Sequence, residues 1–172
     1  MAYVVPDSKT IYMIISIPGH PVAKQANKIT GKGKHVRQYS SQTKEEKRYE
    51  QLIMLQCRSA SHKPFIGAIR VDYEFIAERP KCHFGTGKNS HILKKNTPIH
   101  WIVKKNDFDN MLKFVNDRCS NKKPTKNKKG TIITPEIEMI WVDDCQIVCW
   151  SGEKRYCHHN EEPKTVLKIS EV

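Results

Sequence analysis

Two short stretches carry side chains whose types and spacing suit chemistry. KKNDFDNMLKF, residues 104–114, sets Asp107 and Asp109 two apart with Lys113 four residues further on, and IWVDDCQIVCW, residues 140–150, sets Asp143 beside Asp144. Residues two apart on an extended segment point the same way, whereas within a helix they lie about 200° apart, so a ligand shared by Asp107 and Asp109 requires the extended entry to a helix. Asp109, Lys113 and Asp117 fall at i, i+4 and i+8, a polar stripe with Lys113 one turn below the aspartates. Asp143 and Asp144 stand in an otherwise apolar run, where ionised carboxylates are costly without compensation. A divalent cation would compensate them. Mg2+ takes oxygen ligands, keeps several waters and needs few carboxylates, and beside a phosphodiester such an ion activates water and stabilises a leaving oxygen. Plainer explanations stand next to this one: an aspartate at a helix start is an ordinary N-cap, and an i,i+4 ion pair explains Lys113 equally well.

The elements that must position these residues follow from periodicity. Apolar residues at 108, 111, 112, 115 and 119 mark a helix from Phe108. An amphipathic helix is expected from Thr43 to His62, with Tyr49, Leu52, Ile53, Met54, Leu55 and Cys57 inward, ended by Pro64. Tyr12 to Pro18 reads as a first strand running into the Pro18-Gly19 turn. Ala68 to Ala77 alternates as a half-buried strand, Ile140 to Tyr156 as a strand or hairpin, and Thr165 to Ile169 as a short last strand. Between them lie a basic, glycine-containing stretch at about 24–42, read as a mobile surface arm, and a loop of about 20 residues after Pro80, long enough for a functional or lid role. A lysine-rich loop follows at about 120–131, read as exposed. Two helices beside about four strands make an α+β domain, one unit across residues 1–172.

Composition bounds the partners. Thirty Lys and Arg against 18 Asp and Glu give a net charge of +12, which favours a polyanion such as nucleic acid or an anionic membrane surface. No apolar run of about 18 residues is present to span a bilayer, and the opening MAYVVPDSKTIYMIISIPGHP lacks the parts of a signal peptide. Six cysteines, unevenly spaced, read as reduced thiols rather than a disulfide framework. A soluble, unprocessed intracellular protein is expected.

Other motifs point away from their usual ligands. GTGKN, 85–89, would need glycine at 82 and Ser or Thr at 89 to cradle a nucleotide; the chain has Cys82 and Asn89, so no nucleotide cofactor is expected. Cys145 and Cys149, if both on one strand, lie about 13 Å apart, too far to share a zinc ion with Cys157, His158 or His159. Trp101 is either a base-stacking residue or a buried anchor.

Taken together, KKNDFDNMLKF and IWVDDCQIV resemble the RusA-like Holliday junction resolvases, whose pattern runs roughly K-P-D-x-D-N-L-x-K, then an Asp-Ala-Leu stretch, then D-D-x-Q-[IV]. IPGHPVAK, RQYSS and RPKCHFGTGKN extend the likeness over most of the chain. The resemblance implies a mixed α/β fold, a homodimer, dependence on Mg2+ (with Mn2+ as the alternative) and paired nicks at a four-way DNA junction in recombination and repair. It places the metal-binding aspartates at Asp107, Asp109 and Asp144, with Asp143 as a secondary ligand, and the catalytic lysine at Lys113. Basic residues placed to meet DNA phosphates are Lys24, Lys32, Lys34, Arg37, Lys81, Lys88, Lys104, Lys105 and Lys154. Asn106 replaces the usual proline, and the stretch NDRCSNKKPTKNKKGTIITPEIEMIW is longer, with Arg118 and Cys119 where Ala and Leu are usual. Two other functions fit the same charge: a nucleic-acid-binding protein without catalysis, and a less selective metal nuclease acting on forks, flaps or RNA.

Overall fold

The computed structural model describes residues 13–25, 28–31, 37–39, 42–60, 63–101, 106–126, 131–134 and 137–172. Four strands form the main sheet: β1 (Met13–Pro18), β4 (Ile69–Ala77), β7 (Ile147–Tyr156) and β8 (Lys164–Glu171), in the order β1-β8-β4-β7. β1 and β4 both run antiparallel to β8, while β7 runs parallel to β4. A parallel neighbour demands a long crossover, and the chain between β4 and β7 contains α2 (Phe108–Cys119). α1 (Lys44–Ser59) lies between β1 and β4 in sequence. Among the described residues no helix is long and apolar enough to cross a membrane.

Alternation in the strands decides which face is covered. Ile15 and Ile17, Ile69, Val71, Tyr73 and Phe75, and Leu167 and Ile169 are buried, and they meet Tyr49, Ile53 and Cys57 of α1 and Met111, Phe114, Val115 and Cys119 of α2. Tyr49 stacks on Phe114 with ring centroids 5.9 Å apart, and the Cys57 and Cys119 Sγ atoms lie 3.6 Å apart, so the two helices touch along one seam. α1 begins where Thr43 and Glu46 form a capping box. The buried Glu46 carboxylate also accepts the Gln25 backbone N–H, fastening the segment after β1 to the helix start.

Several expectations change. Residues 28–30 and 37–39 of the expected mobile arm pair as antiparallel strands β2 (Lys28–Thr30) and β3 (Arg37–Tyr39). The lysine-rich loop carries a short strand, β5 (Thr125–Lys126), paired antiparallel with β6 (Ile132–Thr134) beyond it, and its Lys122 is half-buried, donating to the Asp117 carbonyl. The helix expected to reach His62 ends at Ser59. Ile140–Tyr156 is not a hairpin: one strand begins at Ile147, after a 3-10 helix at Asp144–Gln146. In α2, Phe114 joins the buried face and Phe108 and Leu112 are only partly covered, because α1 and the sheet flank the helix together.

The far end of the sheet is fixed by charge. Arg155 of β7 donates to Glu74 of β4 at 2.7 Å and to both carboxylate oxygens of Glu161 at 2.6 and 2.9 Å, with the three side chains largely covered. These bonds hold the Glu161 carboxyl at about 2, far below its ordinary 4.5. A depressed carboxylate contributes stability that is fully present above its unfolded value and is lost as pH falls through the folded value. Glu161→Gln is therefore expected to lower stability at neutral pH and to flatten its decline between pH 4.5 and about 2, as measured by denaturant midpoints across that window.

Candidate active site

The first turn of α2 is seated on β7 by one ring. Phe108 stacks on Trp150, centroids 5.9 Å apart, and meets Phe75 edge-on at 5.5 Å. Its tip occupies the place a side chain would take at Gly152: a Cβ there would lie 2.3 Å from Phe108 Cζ and 3.2 Å from the Tyr73 carbonyl oxygen. On either side the chain is tied down. Lys154 Nζ donates to the Asn106 carbonyl at 2.8 Å, and the Lys24 N–H to the Asn110 carbonyl at 3.1 Å.

This seating sets the two aspartates that flank Phe108. Asp107 is the N-cap, with extended backbone, and its carbonyl accepts the Met111 N–H at 3.1 Å. Its exposed carboxylate makes no capping bond. Asp109 is already inside the helix. The expectation that both aspartates share the extended entry is thus corrected, because the helical hydrogen bonds start from Asp107's own carbonyl. Asp109 instead accepts from Lys113 Nζ at 2.6 Å, with both side chains exposed. Such an exposed i,i+4 pair is worth only about 0.3–0.5 kcal/mol, so either partner exchanges it readily.

The second acidic pair sits on a turn rather than in the core. Asp143, Asp144 and Val142 are all exposed, which removes the argument that burial there demands a counter-ion. Asp143 caps the 3-10 helix by accepting the Cys145 N–H at 3.0 Å, and that bond lowers its pKa. Gln146 explains the glutamine of the D-D-x-Q pattern: its oxygen accepts the N–H groups of Val142 and Asp143, and its nitrogen donates to the carbonyls of Phe65 and Gly67. The side chain thereby pins the turn to the segment leading into β4. Tyr73 of β4 is bonded to α2. Its hydroxyl donates to Asn116 at 2.7 Å, and burial pushes its pKa up, with the Asp144 charge adding to the effect.

In donor chemistry, Asp107, Asp109, Asp143 and Asp144 suit a hard divalent cation such as Mg2+ or Mn2+ better than zinc. In position, no three His, Cys, Asp or Glu side chains among the described residues converge closely enough to hold a metal ion. Asp117, the third residue of the polar stripe, is engaged elsewhere, accepting from Lys24 at 2.6 Å. Cys145 lies in the 3-10 helix and not on a strand with Cys149.

The basic residues separate into three groups. Lys24 and Lys154 are committed to the bonds above, and Lys154 also lies over the ring of Trp101, which is buried and so an anchor. Lys81 and Lys88 stand exposed on two short 3-10 helices, Lys81–His83 and Gly87–Asn89. Lys32, Lys34, Lys104 and Lys105 lie outside the described residues, and of Arg37 only the backbone, in β3, is described. The sequence reading missed Lys123, exposed and close enough for its charge to lower the Asp143 pKa. It also passed over Trp150, which stands exposed against Phe108.

Against this geometry, the family model described as Endodeoxyribonuclease RusA matches residues 18–129. The chain belongs to the RusA endodeoxyribonuclease family. No curated protein matches it. The family's members act on DNA, so DNA is the polyanion that the net charge of +12 anticipates. The match includes Asp107, Asp109 and Lys113 and stops before Asp143 and Asp144.

The placement of α2 is tested at the glycine. Gly152→Ala is expected to cost about 1–3 kcal/mol, the usual range for overpacking, and adding Phe108→Leu should recover part of it. A double-mutant cycle of denaturant midpoints checks this; an alanine variant as stable as the parent would show that Phe108 does not fix the helix.

Proposed function

We propose that this RusA-family chain resolves four-way DNA junctions by paired nicks, as a divalent-metal-dependent homodimer. The observation that carries this reading is the first turn of α2, where an exposed Asp107 carboxylate free of capping duty stands beside Asp109 and Lys113 in a strongly basic chain. Asp107, Asp109 and Asp144 would hold Mg2+ or Mn2+, with Asp143 as a secondary ligand. When bound, such an ion polarises the phosphate and lowers the pKa of water. The chain's own residues do the rest. Lys113, released from a weak surface pair, offers an ammonium to the charge that develops on the phosphate or the leaving oxygen. Exposed Lys81, Lys88 and Lys123 hold neighbouring phosphates, each neutralised phosphate making binding more salt-sensitive. Two cuts in opposing strands call for two sites, and a two-fold dimer presents identical ones.

Incubating the protein with synthetic junction, fork, duplex and RNA substrates, with Mg2+ and with EDTA, is expected to give symmetric nicks on the junction only and only with the metal. Cutting of forks, flaps or RNA at comparable rates would favour the less selective nuclease, and binding without cutting the non-catalytic one. Asp109→Asn should abolish cleavage while junction binding holds or tightens, since an anion leaves the site. Lys113→Ala should slow cleavage by about 100-fold or more, in the range for losing one charge-stabilising donor, with single-turnover rates as the readout.

A further inference from the structure

We propose that Trp150 is a positioning residue for branched DNA, its outer ring face taking the exposed face of the base pair at the branch point. The inference rests on the junction-resolving reading above and adds how the branch is presented to the site.

Trp150 is 55% exposed, although Trp101 and Trp141, the other two of the chain's three tryptophans, are 3% and 0% exposed. It stands on the edge strand of the sheet, the one of the three indoles whose ring face a ligand can reach. Its placement is built rather than incidental. β7 carries a register irregularity against β4: Ile69 faces Ile147 but Arg70 faces Cys149, so Val148 is an extra residue. The bulge turns Trp150, opposite Val71, onto the helix-bearing side of the sheet. There its inner face stacks on Phe108, whose own tip fills the Gly152 notch. The indole is thus backed by a ring that cannot move inward, and its orientation is set before any ligand arrives. A pre-oriented ring loses little rotamer freedom on binding.

The chemistry of the neighbourhood selects the occupant. Phe108 lies between Asp107 and Asp109 in sequence, so the indole sits against the first turn that bears both carboxylates. Away from a bound metal ion a phosphate is repelled there, whereas the uncharged face of a base is not. In continuous duplex every base face is covered by its neighbour. A branch point exposes the last pair of an arm, and an aromatic platform can take it. A ring held over that first turn would favour branched over continuous DNA without reading any base sequence.

The test uses the wild-type protein in EDTA, so that DNA is bound but not cut. Because the other two tryptophans are buried, the acrylamide-quenchable emission belongs to Trp150. A synthetic four-way junction carrying 2-aminopurine at the branch point should protect that emission and change the 2-aminopurine signal, while continuous duplex should do neither. Trp150→Ala should weaken junction binding about 10- to 100-fold, the usual effect of removing one stacking ring, with a smaller loss for Trp150→Phe and duplex affinity unchanged. Circular dichroism of both variants separates a folding defect from a binding one. Normal junction binding and cutting with unaltered Trp150 emission would overturn the inference and leave the proposed function standing. Protection of Trp150 by raising protein concentration alone, before DNA is added, would also overturn it, placing the ring between two copies of the chain. Failure to bind or cut any branched DNA would remove the proposed function and this inference with it.

Discussion

The arrangement depends on a ring meeting a glycine. Phe108, the first residue of α2, can lie flat on β7 because Gly152 offers no side chain. With any larger residue there the helix start must lift away from the sheet, and Asp107 and Asp109, which flank that ring, lift with it. A helix end is normally its least constrained part, since its first N–H groups lack intrahelical partners. Here Phe75 and Trp150 grip the ring, while bonds to the Asn106 and Asn110 carbonyls hold the chain before and after it. Four contacts thus give a helix terminus the definition of a core element.

The carboxylates divide by what surrounds them. Glu46, Glu161 and Asp143 each accept backbone N–H groups, and Glu161 also holds Arg155, so these acids are fixed parts of the fold. Removing such a group leaves donors unpaired and costs the full desolvation of the orphan. Asp107 and Asp109 are different: one has no capping bond and the other has an exposed lysine. Their local bonds contribute little to stability, so their positions are free to serve a ligand. The contrast separates Asp143 from Asp144 as well, since one oxygen of the first braces the turn that presents the second.

Much of this was legible in the sequence where one local rule acts alone. The start of α2 followed from periodicity, and the Asp-rich motif, with D-D-x-Q, led to the family. Where two elements compete for a face the pattern misleads. Phe114 was missed because a single helical stripe predicts one contact surface, while α2 has α1 on one side and the sheet on the other. Asp143 and Asp144 looked buried because Ile140, Trp141 and Val142 precede them, yet only the first two of those are core; the chain turns at Val142 and surfaces. The parallel pairing of β7 with β4 is a long-range fact with no local signature. For the same reason nothing in the run IVCW distinguishes an exposed Trp150 from a buried one until the bulge at Val148 sets its face.

The electrostatics of the site follow from distance rather than from net charge. At physiological ionic strength exposed charges more than about 8 Å apart are largely screened from one another. The excess of lysine and arginine therefore draws a polyanion towards the protein but does little to relieve repulsion at the aspartates themselves. That local task falls to nearby cations: Lys113 beside Asp109, and Lys123, whose charge reaches Asp143. Both lysines lie within the family match, and Lys123 stands in the lysine-rich stretch whose extra length departs from the family pattern. That stretch thus supplies the acidic turn with a cation of its own, as Lys113 does for Asp109.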